Sequence, residues 1–253
     1  MKMDDSTRDL LLAVDGVTID YGGFKALDGF SMTLQKGETR VVIGPNGAGK
    51  STLCDTIIGR VRPSEGRVVF RGEDISQLPE QAIVGRGICR KFQAPGILSG
   101  LTVEDNVALA ARRDRRWWRN LGFGIPAAER ETVDRILEMV GLADCRHREA
   151  GPLAHGQKQW LEIGMVIATG AELILLDEPT AGMGPAETRR TAELIHSLGD
   201  SRTVLVIDHD MSFVEQLNAT VTVMHQGKFL AQGDVASIRQ NAEVAAVYLG
   251  HAA

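Results

Sequence analysis

The sequence contains no apolar run approaching the ~18 residues that a helix needs to cross a bilayer. The longest candidate, Met165 to Leu176, is interrupted by Thr169, Gly170 and Glu172. A secretory leader pattern is lacking too, because Asp4, Asp5, Arg8 and Asp9 come before only five apolar residues. The expectation is a soluble, cytoplasmic chain. There is no basic excess: 28 Lys and Arg stand against 33 Asp and Glu, a net charge of −5, which argues against a general nucleic-acid binder. Cysteine is scarce. Cys54, Cys89 and Cys145 share no metal-type spacing, and their odd number suits a reducing compartment. No internal repeat, low-complexity tract or flexible linker is visible.

What remains is an ordinary globular composition, 43% hydrophobic and 24% charged over 253 residues, enough for a substantial core. Within it lies Gly44-Pro45-Asn46-Gly47-Ala48-Gly49-Lys50-Ser51-Thr52, which matches the phosphate-loop pattern G-x-x-x-x-G-K-[ST]. The β-branched run Thr39 to Ile43 before it reads as a buried strand. Ser51 to Ile58 after it reads as a helix stopped by Gly59. Glycines let successive main-chain N–H groups turn inward onto an anion, and the helix N-terminus adds unpaired donors and partial positive charge. Lys50 is expected to reach the β- and γ-phosphates and the Ser51 hydroxyl to ligate Mg²⁺. This pattern predicts a nucleoside triphosphate site.

Short strands and turns fill residues 10–35, with Tyr21-Gly22-Gly23 as a turn, and Arg67 to Phe70 reads as another strand. From Leu101 to Gly170 the pattern is helical, over Val103–Ala111, Ala127–Val140 and Gln157–Ala168. Strand and helix then alternate again: Leu173–Leu176, Ala186–Leu198, Thr203–Ile207 and Met211–Leu217. A hairpin turning at Gln226-Gly227 and two short helical stretches close the chain. The predicted fold class is α/β, a P-loop NTPase core with an N-terminal antiparallel β portion and an inserted helical subdomain. The core is expected over 1–93 and 171–253, and the insertion over 94–170.

Leu173-Ile174-Leu175-Leu176-Asp177-Glu178 is an apolar strand ending in two carboxylates. A buried parallel strand delivers such residues into the ligand crevice at its carboxyl end. Asp177 is expected to hold Mg²⁺, directly or through water, and Glu178 to accept a proton from the attacking water.

With these residues in hand, the chain resembles the ABC ATPases. Leu153-Ala154-His155-Gly156-Gln157 looks like their signature motif. Gln93, in Lys91-Phe92-Gln93, stands where the family has its glutamine, and His209, after Val204 to Asp208, where it has its switch histidine. Tyr21 fits the aromatic that packs on adenine, and Ala181 to Gly184 occupies the D-loop position. The order of these elements matches over essentially the whole chain, which would make it a single ABC ATPase domain. The resemblance implies ATP and Mg²⁺ as cofactors, with Ser51, Gln93 and Asp177 around the metal and Glu178, His209 and Gln93 in hydrolysis. It implies that the signature segment completes a site on another ATPase subunit, so two must close head to tail around two ATP molecules. The string His155 to Gly164 and the ending Val247 to Gly250 are most similar to the branched-chain amino acid and amide uptake group, and within it to an ATPase subunit of urea importers. The implied partners are a second ATPase subunit, as a heterodimer or a homodimer, two membrane permeases and, indirectly, a periplasmic binding protein. No nucleic acid is expected, and the implied location is peripheral, on the cytoplasmic face of the inner membrane.

The sequence departs from the usual Ser-Gly-Gly of the signature, because Ala154 lacks the hydroxyl and His155 replaces a glycine. Arg112 to Arg119, with Trp117 and Trp118, forms a basic and aromatic patch that reads as a solvated surface or as a contact for anionic headgroups or a membrane subunit. The competing functional readings are an ATPase for branched-chain amino acids, a soluble ABC ATPase acting on DNA or ribosomes, and a regulatory nucleotide-binding module. Only about 60 residues separate Gln93 from the signature, which leaves no room for the long insertions of the soluble class.

Overall fold

The computed structural model describes residues 9–91, 96–112, 127–199 and 201–249. The chain opens with a long hairpin, β1 (Leu10–Tyr21) and β2 (Phe24–Gln35), both reaching well beyond the short runs expected from sequence. Alternation carries the extension: along β2, Phe30, Met32 and Leu34 point inward while Ser31, Thr33 and Gln35 are exposed. After β3 (Thr39–Ile43) and α1 (Lys50–Ile57), β4 (Glu65–Phe70) and β5 (Glu73–Asp74) join the hairpin in an antiparallel sheet of order β2-β1-β4-β5.

The second sheet has six strands. Following α2 (Glu80–Gly85) comes β6 (Ile88–Arg90), and then three helices intervene, α3 (Val103–Ala111), α4 (Ala127–Met139) and α5 (His155–Ala168). The chain returns through β7 (Leu173–Asp177), α6 (Pro185–Leu198), β8 (Thr203–Ile207), α7 (Met211–Leu217), β9 (Thr220–His225) and β10 (Lys228–Gly233), ending in α8 (Val235–Gln240) and α9 (Ala242–Leu249). The order is β10-β9-β3-β8-β7-β6, parallel throughout except for the β9–β10 hairpin. Sequence reading missed α2, β5 and β6. A three-residue strand ending in arginine offers too little periodicity to be seen.

The central sheet is buried on both faces, and the twofold period of its strands divides their side chains between two cores. Val41, Ile43, Ile174, Leu176, Val204 and Val206 belong to a core shared with α3 through α9. Their chain neighbours Val42, Leu173, Leu175, Leu205 and Ile207 pack with α1 and the antiparallel sheet. Cys89 belongs to the first core and Cys54 to the second. Burial pushes the Cys54 thiol up to about 12, so it behaves as a small apolar residue. No helix among the described residues is long and apolar enough to cross a membrane.

Candidate functional site

The strands β3 and β7 end side by side across β8, so that the phosphate loop and the Asp177-Glu178 pair meet at the carboxyl edge of the sheet. A cleft of about 250 Å³ lies there, lined by Phe24, Ala26, Asn46 to Thr52, Asp177, Glu178 and Ile207. A larger cleft of about 450 Å³ sits at the other end of β6 and β7, around Arg71, Arg86, Arg112 and Glu172. Its arginines face carboxylates, Arg71 on Glu172, Arg86 on Glu73 and Arg112 on Glu129, and it contains none of the motif residues. The smaller cleft is the one with the chemistry.

Two of the loop's glycines are dictated by close approach. A Cβ on Gly44 would meet Met224 O at 2.3 Å, and one on Gly49 would meet Ala26 O at 2.4 Å, with Gly49 also at φ 100°. Gly49 caps α1 and supplies no side chain to its first turn, so no side chain of the cap competes for the amides there. Lys50 folds back over the loop, donating from Nζ to Gly44 O at 2.8 Å and Pro45 O at 3.0 Å. Burial lowers the Lys50 pKa, and the charges of Glu178 and Asp177 oppose that shift. The ammonium therefore rests on weak carbonyl acceptors that a phosphate can displace.

Glu178 adopts φ 45°, a left-handed conformation uncommon outside glycine, held by its N–H bonding Ile207 O at 2.8 Å. Its carboxylate is half exposed (49%), and His209 Nδ1 lies 3.4 Å from Glu178 Oε1. Asp208, which sequence reading passed over, organises this turn. It is 2% exposed and accepts from Thr180 Oγ1 at 2.8 Å and from the N–H groups of His209 and Asp210 at 2.7 and 3.0 Å. Asp208→Ala would leave these donors without their acceptor, and we expect a loss of about 2–3 kcal/mol, read as a lowered thermal midpoint. An unchanged midpoint would show that the turn stands without it.

Asp177 ends β7 and bonds the Arg90 guanidinium through Oδ2, while Arg90 Nη1 donates to Asp55 Oδ1 of α1 at 2.6 Å. Ser51 lines the same cleft as Asp177, which offers a hydroxyl and a carboxylate to one ligand. That donor set suits Mg²⁺, which takes a few hard oxygens from protein and the rest from phosphate and water. Among the described residues no group of three or more His, Cys, Asp or Glu could hold a metal by itself.

The signature residues lie elsewhere. α5 begins at His155 after Ala154, whose N–H donates to Gln157 Oε1 at 3.1 Å. Gly156 is buried, and a Cβ there would come within 2.2 Å of Glu187 Oε1. His155 Nε2 is 2.9 Å from Ala181 O, which can only accept, so the ring carries its proton on Nε2. None of Ala154 to Gln157 is among the residues lining the cleft. On the β1–β2 hairpin Tyr21 stands opposite Phe24; both are exposed, and Phe24 is the one that lines the cleft. Gln93 and Arg113 to Arg119 fall outside the described residues.

With that geometry, comparison with known proteins is decisive. The family pattern described as ABC transporter matches residues 27–181. The chain belongs to the ABC transporter family. Among its relatives, the high-affinity branched-chain amino acid transport ATP-binding protein LivG of Salmonella typhimurium is 36% identical over 96% of this chain and 98% of that protein. The corresponding BraF of Pseudomonas aeruginosa is likewise 36% identical, over the same shares. A solved ATP-binding cassette of an ABC transporter in its ADP conformation superposes with a TM-score of 0.81 at 31% identity, covering 95% of this chain and 99% of the other. A nucleotide-free cassette gives 0.80 at 31% identity, over 94% and 98%. This ABC ATPase binds ATP, and its hydrolysis is coupled to transport.

Proposed function

We propose that the chain is the energy-coupling ATPase subunit of an importer of the branched-chain amino acid and amide group. The observation that carries this reading is the convergence of Lys50, Asp177 and Glu178 in one cleft, with His209 beside Glu178. In this reading Lys50 leaves Gly44 O and Pro45 O for the β- and γ-phosphates, and the α1 N-terminus holds the phosphate charge. Ser51, Asp177 and Gln93 hold Mg²⁺, which supplies electrostatic stabilisation of the transferring phosphoryl group. Glu178 takes the proton of the attacking water, and His209 contacts the γ-phosphate. Phe24 joins Tyr21 as a surface for adenine.

The signature segment Ala154 to Gln157 presents a helix N-terminus away from this cleft, and so serves a second ATPase subunit. Two membrane permeases and a periplasmic binding protein complete the assembly, on the cytoplasmic face of the inner membrane. The division into a nucleotide-binding core (1–93 and 171–253) and a helical insertion (94–170) belongs to the same proposal, as does a membrane-side role for Arg112 to Arg119. Branched-chain amino acids are the solutes named for the relatives above. Urea is the second reading, carried by the likeness of the string His155 to Gly164. The discriminating experiment is ATPase activity of the reconstituted transporter with leucine-loaded or urea-loaded binding protein. Stimulation by one alone assigns the solute, and stimulation by neither removes this group.

Ala154 makes the two composite sites of a heterodimer unequal. A missing hydroxyl contact to a charged phosphate is worth about 1.5–3 kcal/mol, or roughly tenfold or more in rate if made chiefly in the transition state. Ala154→Ser is expected to speed hydrolysis at the partner's phosphate loop and leave this chain's own site unchanged. Turnover of the heterodimer with Glu178→Gln silencing the other site reads this directly. No gain would mean that His155 and Gly156 already supply the contact.

A further inference from the structure

We propose that Arg90 and Lys91 form a link that carries the state of the Asp177 carboxylate to the start of the signature helix. The strand period makes this possible. Ile88 packs in the core beside α1 and Cys89 in the core beside α5, so the next two residues face the same two ways in turn. Arg90 reaches the phosphate-loop side, bridging Asp55 of α1 and Asp177 of β7. Lys91 reaches the other side, where Nζ bonds Gln159 Oε1 and lies 3.7 Å from Glu162 Oε2, both on α5. Arg90 at the end of β6 and Lys91 just after it thus reach the nucleotide cleft and the signature helix on opposite sides of the sheet.

Packing alone does not account for them. The Lys91 side chain is 0% exposed, and apolar side chains of similar size would fill such a position at less desolvation cost. Burial lowers the Lys91 pKa and raises that of Glu162, each partner opposing the other's shift. At the first turn of α5, His155 Nε2 donates to Ala181 O in the loop following Glu178. Lys91 N–H bonds Leu175 O, so this end of β6 is tied to the strand that carries Asp177. When Asp177 turns toward a ligand in the cleft, Arg90 loses one of its two carboxylates, and the shift at the strand end passes through Lys91 to α5. Arg90 and Lys91 are positioning residues in this scheme; neither touches the reacting atoms.

The inference rests on Mg²⁺–ATP occupying the phosphate-loop cleft, so binding is measured on the same samples by calorimetry. The test is amide hydrogen exchange of α5 in the isolated full chain, at concentrations where sedimentation shows a monomer. Mg²⁺–ATP is compared with ATP in EDTA and with no nucleotide. In the parent chain, Mg²⁺–ATP should change α5 exchange by about two- to thirtyfold, the range expected from coupling through a packed network. The double variant Lys91→Met/Glu162→Gln, which leaves no stranded charge, should bind ATP as the parent does and lose that nucleotide-dependent difference. A role in stability alone would alter α5 exchange equally with and without nucleotide and preserve the difference. Gln159→Leu cuts the link from the helix side and should give the same loss, which keeps the test available if the double variant does not fold. Persistence of the difference in the variants, or its absence in a parent chain that binds ATP, overturns the link. Absence of binding overturns the site assignment beneath it.

Discussion

Lys50→Ala is expected to abolish tight ATP binding. The ammonium is held by Gly44 O and Pro45 O, so the substitution removes two hydrogen bonds that shape the loop as well as the cation that meets the phosphates. Each charge-assisted contact to phosphate is worth about 1.5–3 kcal/mol, and losing two of them weakens binding by roughly a hundredfold or more. Calorimetry with Mg²⁺ present measures this directly. Affinity equal to the parent's would mean that the phosphates bind somewhere other than the cleft between α1 and β7.

Glu178→Gln is expected to do the opposite, keeping ATP bound while stopping its hydrolysis. An amide of the same shape can adopt the φ 45° turn and remain beside His209, but it cannot take a proton from water. General-base catalysis contributes about 10²–10⁴-fold, so steady-state turnover should fall by that factor in the assembled transporter while ATP affinity stays within a few-fold. With bound ATP unspent, the closed pair of ATPase subunits should accumulate and be visible by sedimentation. Undiminished turnover would remove Glu178 from its role and leave His209 as the group nearest the water.

Much of this site was legible because its chemistry is local in sequence. The phosphate loop needs a strand, glycines, a lysine and a helix start within some fifteen residues, and all of them stand in order from Thr39 onward. The apolar run ending in Asp177 and Glu178 could be read the same way. What escaped notice depends on residues brought together from afar. Asp208 has no motif of its own and matters only because Thr180 is folded against it. Arg90 ends a strand of three residues and Lys91 follows it, and their meaning comes from Asp55, Asp177 and Gln159, up to 87 positions away. Phe24 carries no motif and drew no attention in the sequence, yet it lines the cleft because Gly22 and Gly23 fold β2 back along β1. The unusual Ala154-His155-Gly156 was noticed in sequence as a departure. Only the fold shows His155 bonded to Ala181 O and Gly156 pressed against Glu187; nothing in the structure explains Ala154.

The central claim is that this chain contributes two unlike half-sites, a phosphate loop for its own ATP and a signature helix for its partner's. A cryo-electron microscopy map of the assembled transporter carrying Glu178→Gln, prepared with Mg²⁺ and ATP, tests it most directly. The account predicts a triphosphate between Lys50 of this chain and the signature helix of the second ATPase subunit, with the N-terminus of α5 at Ala154 to Gly156 facing the triphosphate on the second subunit's loop. A triphosphate enclosed entirely within one chain, or a saturated complex holding a single ATPase subunit, would contradict it.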